Sequence, residues 1–251
     1  MYPELFTIFG ITIYTYGLMV AVGFFTGMTY IIKHTSNIPV KKDQMYDFLF
    51  YLIIFSIIGA RLLYVLVNID FFIQHPADII KVWQGGLVFY GGFITAILYA
   101  VWYCKYKKID IKKLADVFAP ALALGHAFGR IGCFFSGCCY GKETQCFISI
   151  NNKYPTQIME AVGNLIIFFV LHKLYKKSHK NGYIFLLYLV LYSVLRFLIE
   201  FLRGDDRGTF FLGLSPAQNI SLVIFVIAVI LLISSKKNSD NLKKMADKNG
   251  K

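Results

Sequence analysis

Charge is what this sequence has least of. Only 16% of its 251 residues are charged, against about a quarter in an ordinary soluble domain, and its mean hydropathy is +0.58. A chain so poor in charge cannot cover a water-facing surface and needs an apolar solvent. Acidic residues are the scarcest: 14 Asp and Glu stand against 26 Lys and Arg, giving a net charge of +12. That excess does not make a nucleic-acid face, because the lysines sit in short clusters between apolar runs. Clusters of this kind suit loops that face anionic lipid headgroups. No cleavable leader is apparent either. No basic residue precedes the first apolar run, which is longer than a signal h-region and has no small-x-small cleavage site, so it is expected to be retained. No internal repeat of the transporter kind is visible. Five cysteines, four of them between residues 133 and 146, do not resemble a secreted disulfide framework.

What is present is a series of seven apolar runs, at about 8–32, 47–67, 86–104, 115–135, 158–175, 183–202 and 214–234. Each approaches the ~20 residues that a helix needs to cross a bilayer core of about 30 Å. Each must be helical, because lipid offers the backbone no hydrogen-bond partner. The expected fold is therefore all-α and polytopic, with about seven transmembrane helices. One membrane domain would cover 1–235, followed by a disordered basic tail at 236–251. Loops 33–46, 105–114 and 173–182 and the tail carry 18 basic residues, and the opposite loops carry five, Lys81, Lys142, Lys153, Arg203 and Arg207. The positive-inside rule then predicts the N-terminus outside and the C-terminus in the cytoplasm.

Four of the charged residues within these runs, where charge is costly, stand out. They are Arg61, Arg130, and the pair Arg196 and Glu200, whose four-residue spacing puts them on one helix face, with Arg203 continuing that face. Two readings stand side by side. Arg196 and Glu200 form a structural pair while the other arginines snorkel, or several arginines converge on an anion. Guanidinium suits a phosphate because its planar fork donates two parallel charge-assisted bonds, and three arginines with one glutamate would leave surplus positive charge. Two glycine-rich stretches, Gly85-Gly86 to Gly91-Gly92 and Gly129-Arg130-Ile131-Gly132 through Gly141, allow close helix packing or exposed amides that bind an anion.

At these residues the sequence resembles the prolipoprotein diacylglyceryl transferases of the bacterial cytoplasmic membrane. The resemblance runs in order through Tyr16-Gly17-Leu18-Met19, Gly59-Ala60-Arg61-Leu62, Trp83-Gln84-Gly85-Gly86, Gly129-Arg130-Ile131-Gly132, Pro155-Thr156-Gln157 with Glu160, Arg196-Phe197 with Glu200-Phe201 and Arg203, and Leu214-Ser215 with Gln218. It implies a multi-pass enzyme that moves a diacylglyceryl group from phosphatidylglycerol to the lipobox cysteine of prolipoproteins. Its partners would be that lipid, prolipoprotein signal peptides and the surrounding membrane lipids, with no cofactor. A substrate thiolate attacks a glycerol carbon and glycerol phosphate leaves, so the phosphate must be held and the thiol deprotonated. By resemblance, Arg130 and Arg196 clamp the phosphate and Glu200 orients Arg196. Tyr16 donates a hydrogen bond to the lipid or leaving group, and Gly91, Gly92 and Gly141 shape the lipid pocket. Arg61 and Arg203 are further candidates for binding the lipid.

Four positions depart from the family pattern. Tyr90 stands where the family has the His of His-Gly-Gly, and Cys133, Ser136 and Cys138 replace Asn, Asn and Glu of the signature. Tyrosine, with an ordinary pKa near 10, is a poor base at neutral pH, though Tyr90 can position a hydrogen bond. His126, one turn before Arg130, is a substitute base or a hydrogen-bonded residue of the bundle. Cys133, Cys138, Cys139 and Cys146 admit three readings: a metal site, a disulfide, or small packing residues. Their spacing does not match a two-CxxC zinc site, and adjacent Cys138 and Cys139 are not expected to share one ion easily, so no metal is predicted. The departures leave open a relative with another acceptor or thiol-redox chemistry, and, from another class, an anion transporter or channel.

Overall fold

A computed structural model describes residues 4–8, 11–35, 38–205, 208 and 213–249. A short antiparallel hairpin, β1 (Glu4–Ile8) and β2 (Ile11–Tyr14), precedes eight helices: α1 (Thr15–His34), α2 (Lys42–Val67), α3 (Ile69–Gln74), α4 (Phe89–Lys107), α5 (Ile111–Phe135), α6 (Thr156–Tyr175), α7 (Tyr183–Glu200) and α8 (Pro216–Asn249). The molecule is a polytopic all-α membrane protein. Among the described residues, six helices are long and apolar enough to cross a membrane: α1, α2, α5, α6, α7 and the Pro216–Ser235 part of α8. The run at 86–104, expected as the third of seven spans, folds as α4 but lies outside that set. Tyr90, Tyr99, Trp102, Tyr103 and Lys105 lower its hydropathy without shortening it; 19 residues still extend about 28 Å. The first span begins at Thr15 and not at residue 8. The β-branched residues Thr7, Ile8, Ile11, Thr12 and Ile13 alternate in a strand pattern, and Thr12 pairs opposite Thr7. Helical backbone in α8 continues to Asn249, into the tail for which composition alone predicts no fixed structure. Arg207 lies outside the described residues.

The chain divides into two compact units, Ile32–Leu114 and the remainder, Met1–Ile31 with Ala115–Lys251. In the first, α2 and α4 pack so closely that only glycine fits at the crossing. A Cβ on Gly91 would stand 2.3 Å from the Gly59 carbonyl oxygen, and one on Gly92 would stand 2.8 Å from that of Ser56. Thr95 Oγ1 donates across the crossing to the Phe55 carbonyl at 2.9 Å. Phe48, Phe55, Tyr99 and Tyr103 stack below it, and Tyr103 donates its hydroxyl proton to the Gln44 carbonyl at 3.1 Å.

In the second unit, α1 lies against α5 along small residues. A Cβ on Gly23 would stand 2.9 Å from Phe128 Cβ and 3.2 Å from the Gly125 carbonyl oxygen, and one on Gly132 would meet Met19 Cβ at 3.1 Å and Tyr16 Cδ2 at 3.2 Å. Lipid gives two helices no hydrophobic reason to associate, so close van der Waals contact at small residues holds such pairs together. Asp116, near the start of α5, fixes α7. Its carboxylate accepts from the Gly182 and Phe185 amides at 2.6 and 2.9 Å, at the positive end of that helix. Helix α8 opens with a reciprocal cap: Ser215 Oγ accepts from the Gln218 amide, and Gln218 Oε1 accepts from the Ser215 amide, with Pro216 in the first turn. Gln218 and Ser221 are buried.

Candidate active site

Helices α5 and α7 end, and α6 begins, with charged side chains that meet. Glu160, in the first turns of α6 and 1% exposed, lies between two arginines. Arg130 Nε is 3.0 Å from its Oε1, and Arg196 Nη1 is 3.4 Å from its Oε2. Arg196 turns its other nitrogen to Glu200 Oε2 at 2.7 Å. Arg203 reaches Glu200 at 3.8 Å and closes a bidentate pair with Asp205 at 2.8 and 2.7 Å. The Ser215 hydroxyl donates to Glu200 Oε1 at 2.9 Å, which ties the cap of α8 to the same row. Tyr192 lies within electrostatic reach of Arg130. The result is an alternating ladder of three guanidiniums and three carboxylates among the described residues. The surplus of positive charge expected from the sequence is therefore absent here. Glu160 and Asp205 complete the balance, as buried charge requires.

Arg130 is the open rung. Its side chain is 21% exposed, against 8% for Arg196 and 3% for Arg203. Tyr16, half-exposed at the start of α1, lies within electrostatic reach of Arg130 and of Cys133. His126 faces Tyr188, whose hydroxyl is 3.0 Å from Nδ1, and lies 4.9 Å from the Tyr192 ring.

The segment after α5 returns beneath this row. Gly137, with φ 71°, ends the helix in the left-handed conformation. The Cys138 amide donates back to the Cys133 carbonyl at 3.2 Å and the Gly137 amide to that of Phe134 at 3.1 Å. This double closure sets the side chain just past the turn against the one three places before the cap, so Cys138 meets Cys133. Cys139 is also left-handed, with φ 65°. Its carbonyl accepts from Thr156 Oγ1 at 2.9 Å, and the Cys138 carbonyl accepts from Gln157 Nε2 at 2.6 Å. Gly141 sits where no side chain fits; a Cβ would be 2.5 Å from Tyr154 Cβ and 2.6 Å from the Leu202 carbonyl oxygen. The three sulfurs of Cys133, Cys138 and Cys139 all lie within 4.8 Å of one another. Adjacency does not keep Cys138 and Cys139 apart, because the left-handed turn folds the second sulfur back onto the first. All five cysteines are free thiols, and Cys146 stands outside the trio. Hydrogen bonds from Cys133 and from Arg203 hold the Cys139 thiol down to about 4, against the opposing effect of burial, while burial pushes Cys138 up.

The remaining sequence candidates belong to the unit of α2 and α4. Arg61 is 7% exposed and donates to backbone carbonyls: Nε to Ile79 at 2.9 Å, Nη1 to Gly85 and Gly86 at 2.7 and 3.2 Å, and Nη2 to Asp78 at 2.5 Å. It stands 5.4 Å from the centres of the Tyr64 and Phe72 rings. Its fork thus organises the segment between α2 and α4. Tyr90 is exposed in the first turn of α4. Gly91 and Gly92 are buried against α2, and their amides donate to the Val88 carbonyl at 3.1 and 3.4 Å, so the helix itself uses them. Sequence reasoning gave no role to Glu160, Asp205, Tyr192, Thr156 or Gln157. A lone carboxylate in an apolar run was the available signal for Glu160.

A family model described as prolipoprotein diacylglyceryl transferase matches residues 3–234. Among known proteins, the phosphatidylglycerol–prolipoprotein diacylglyceryl transferase of Clostridium tetani is 36% identical over 242 residues, covering 92% of this chain and 96% of that one. The protein of the same name from Finegoldia magna is 35% identical over 238 residues, covering 92% and 95%. That from Bacillus velezensis is 30% identical over 261 residues, covering 98% and 96%.

Proposed function

This chain belongs to the prolipoprotein diacylglyceryl transferase family, and from that premise we propose that it moves the diacylglyceryl group of phosphatidylglycerol onto the cysteine thiol of prolipoproteins. The thiolate sulfur attacks the diacylglyceryl carbon that bears the phosphate. A carbon–sulfur bond forms, the carbon–oxygen bond to phosphate breaks, and its electron pair departs with glycerol phosphate. The thiol proton passes to a base. Negative charge grows on the phosphate side as the bond breaks, so the protein must offer donors there.

The ladder on α5, α6 and α7 is the observation that carries this reading. Arg130, the most open rung, takes the phosphate with its fork, while Glu160 holds Nε from behind. Arg196, aligned by Glu160 and Glu200, supplies the second cation. Tyr16 gives a hydrogen bond to the lipid or the leaving oxygen. His126, paired with Tyr188, is the base candidate within this unit. The acceptor arrives as the signal peptide of a prolipoprotein, with membrane lipids around it, in the bacterial cytoplasmic membrane. In that setting α4 also crosses the membrane and completes a set of seven spans, the N-terminus is outside and the basic tail is cytoplasmic.

The test uses purified chain in phospholipid nanodiscs, a model prolipoprotein and phosphatidylglycerol, read by gel shift and by mass of the product. Transfer is expected with phosphatidylglycerol and not with phosphatidylethanolamine alone. Arg130→Lys, which keeps charge but loses the fork, should cut the rate about 10- to 100-fold, the worth of one or two charge-assisted hydrogen bonds. Well-folded wild-type chain that adds no diacylglyceryl group would end this reading.

A further inference from the structure

Three thiols within 4.8 Å of one another are more than packing needs. Four thiolates around zinc, with metal–sulfur lengths of about 2.3 Å, stand about 3.8 Å apart. The trio is already within an ångström of that spacing. It is also held in place from outside itself. The turn that ends α5 fixes Cys133 against Cys138, and the buried Thr156 and Gln157 side chains clamp the Cys139 and Cys138 carbonyls. Odd in number, the trio cannot be used up by one disulfide. Arg203 lies within electrostatic reach of the Cys139 sulfur. Three thiolates around a divalent ion leave one negative charge beside Arg203, which Asp205 and Glu200 already pair. Cys138 is exposed, so an ion has a way in and a fourth ligand has a way on.

We propose that Cys133, Cys138 and Cys139 form a three-sulfur site for one thiophilic divalent cation of the zinc class, with the fourth position open to the acceptor thiol of the prolipoprotein. The second half of this rests on the transferase reading. Soft thiolates select such ions, and a catalytic zinc keeps a position free. A thiol that coordinates gives up its proton to water outright, so the site would present the acceptor as a thiolate without needing a basic side chain. The later steps are unchanged: sulfur bonds to the diacylglyceryl carbon as glycerol phosphate leaves with the electron pair, and no redox partner takes part. Tyr16, which neighbours Cys133 and Arg130, links this site to the phosphate end of the lipid.

The experiment titrates chelator-stripped, reduced full-length chain in nanodiscs with cobalt(II) and, separately, zinc. Cobalt is expected to bind one per chain with a sulfur-to-metal absorption band and tetrahedral ligand-field bands. Zinc should displace it and protect three thiols from alkylation. Cys138→Ser and Cys139→Ser should each lose the band, while Cys104→Ser and Cys146→Ser keep it. Should a serine variant fail to fold, thiol protection in the wild-type chain decides the point. A peptide carrying the acceptor cysteine should shift the cobalt bands, and its serine analogue should not. Stripping should abolish transfer and zinc should restore it. Absence of one-to-one binding, or a disulfide within the trio that survives reductant, overturns the site. Binding without a peptide shift, or full transfer by metal-free chain, overturns the open position and leaves the transferase reading standing. Binding with a peptide shift but no lipid transfer supports the site and counts against that reading.

Discussion

Glu160 joins the open rung of the site to the buried ones, because Arg130 and Arg196 both depend on its one carboxylate. Glu160 itself is buried, and removing one partner of a buried pair leaves charge uncompensated in a poor solvent. Glu160→Gln keeps the shape and deletes the charge. It should lower stability by about 3–5 kcal/mol, measured by denaturant unfolding in micelles, and should abolish transfer as well. An unchanged midpoint would mean that the arginines find other partners. The sequence announced part of this row. Arg196 and Glu200 could be paired from their spacing alone, since four residues is one helical turn. Glu160 could not, because its partners lie on other helices and only packing reveals them. Arg61 illustrates the opposite difficulty. Its acceptors are backbone carbonyls between residues 78 and 86, and a carbonyl has no letter in the sequence.

The pairing of α2 with α4 rests on glycines whose missing Cβ atoms are the contact. Gly91→Ala would drive a methyl to 2.3 Å from the Gly59 carbonyl oxygen and 2.6 Å from Leu63 Cβ. Backbone cannot yield as a side-chain tip does. The helices must part, at a cost of about 1–3 kcal/mol, visible as a lower thermal midpoint and as earlier proteolysis of the segment between residues 67 and 89. Gly17→Ala, where nothing lies within 4 Å, is the control and should be silent. Both roles offered for these glycines were physically open from sequence, and the helix geometry favours packing because their amides already have acceptors. Hydropathy located most helices to within a few residues. It missed the hairpin before α1, where an apolar composition concealed a two-residue alternation. It also gave no hint of the turn at Cys139, since a positive φ in a residue other than glycine is set by its surroundings.

At the scale of the whole chain, the asymmetry of the lysines is the strongest long-range signal in the sequence. Reporter fusions at residues 38, 108, 178 and 240 should all report cytoplasm, and fusions near 78, 148 and 208 should report the outer side. Both termini on one side would remove α4 from the spans and leave six. The lysine split itself needed no structure to be seen. The division into two units did, because α1 and α5, some 80 residues apart, share one unit while α2 and α4 form the other.

The alternating ladder has a kinetic corollary. Its rungs already cancel, so no net attraction draws a headgroup in. In the proposed reaction a phosphodiester would enter by trading places with a carboxylate on one guanidinium, a swap of near-equal bonds. Once cleavage doubles the phosphate's charge, Glu160 and Glu200 compete harder for the same donors and repel the newcomer. On that proposal the arrangement would trade tenacity for release, the step that frees glycerol phosphate being made easy by the acids that hold the arginines still.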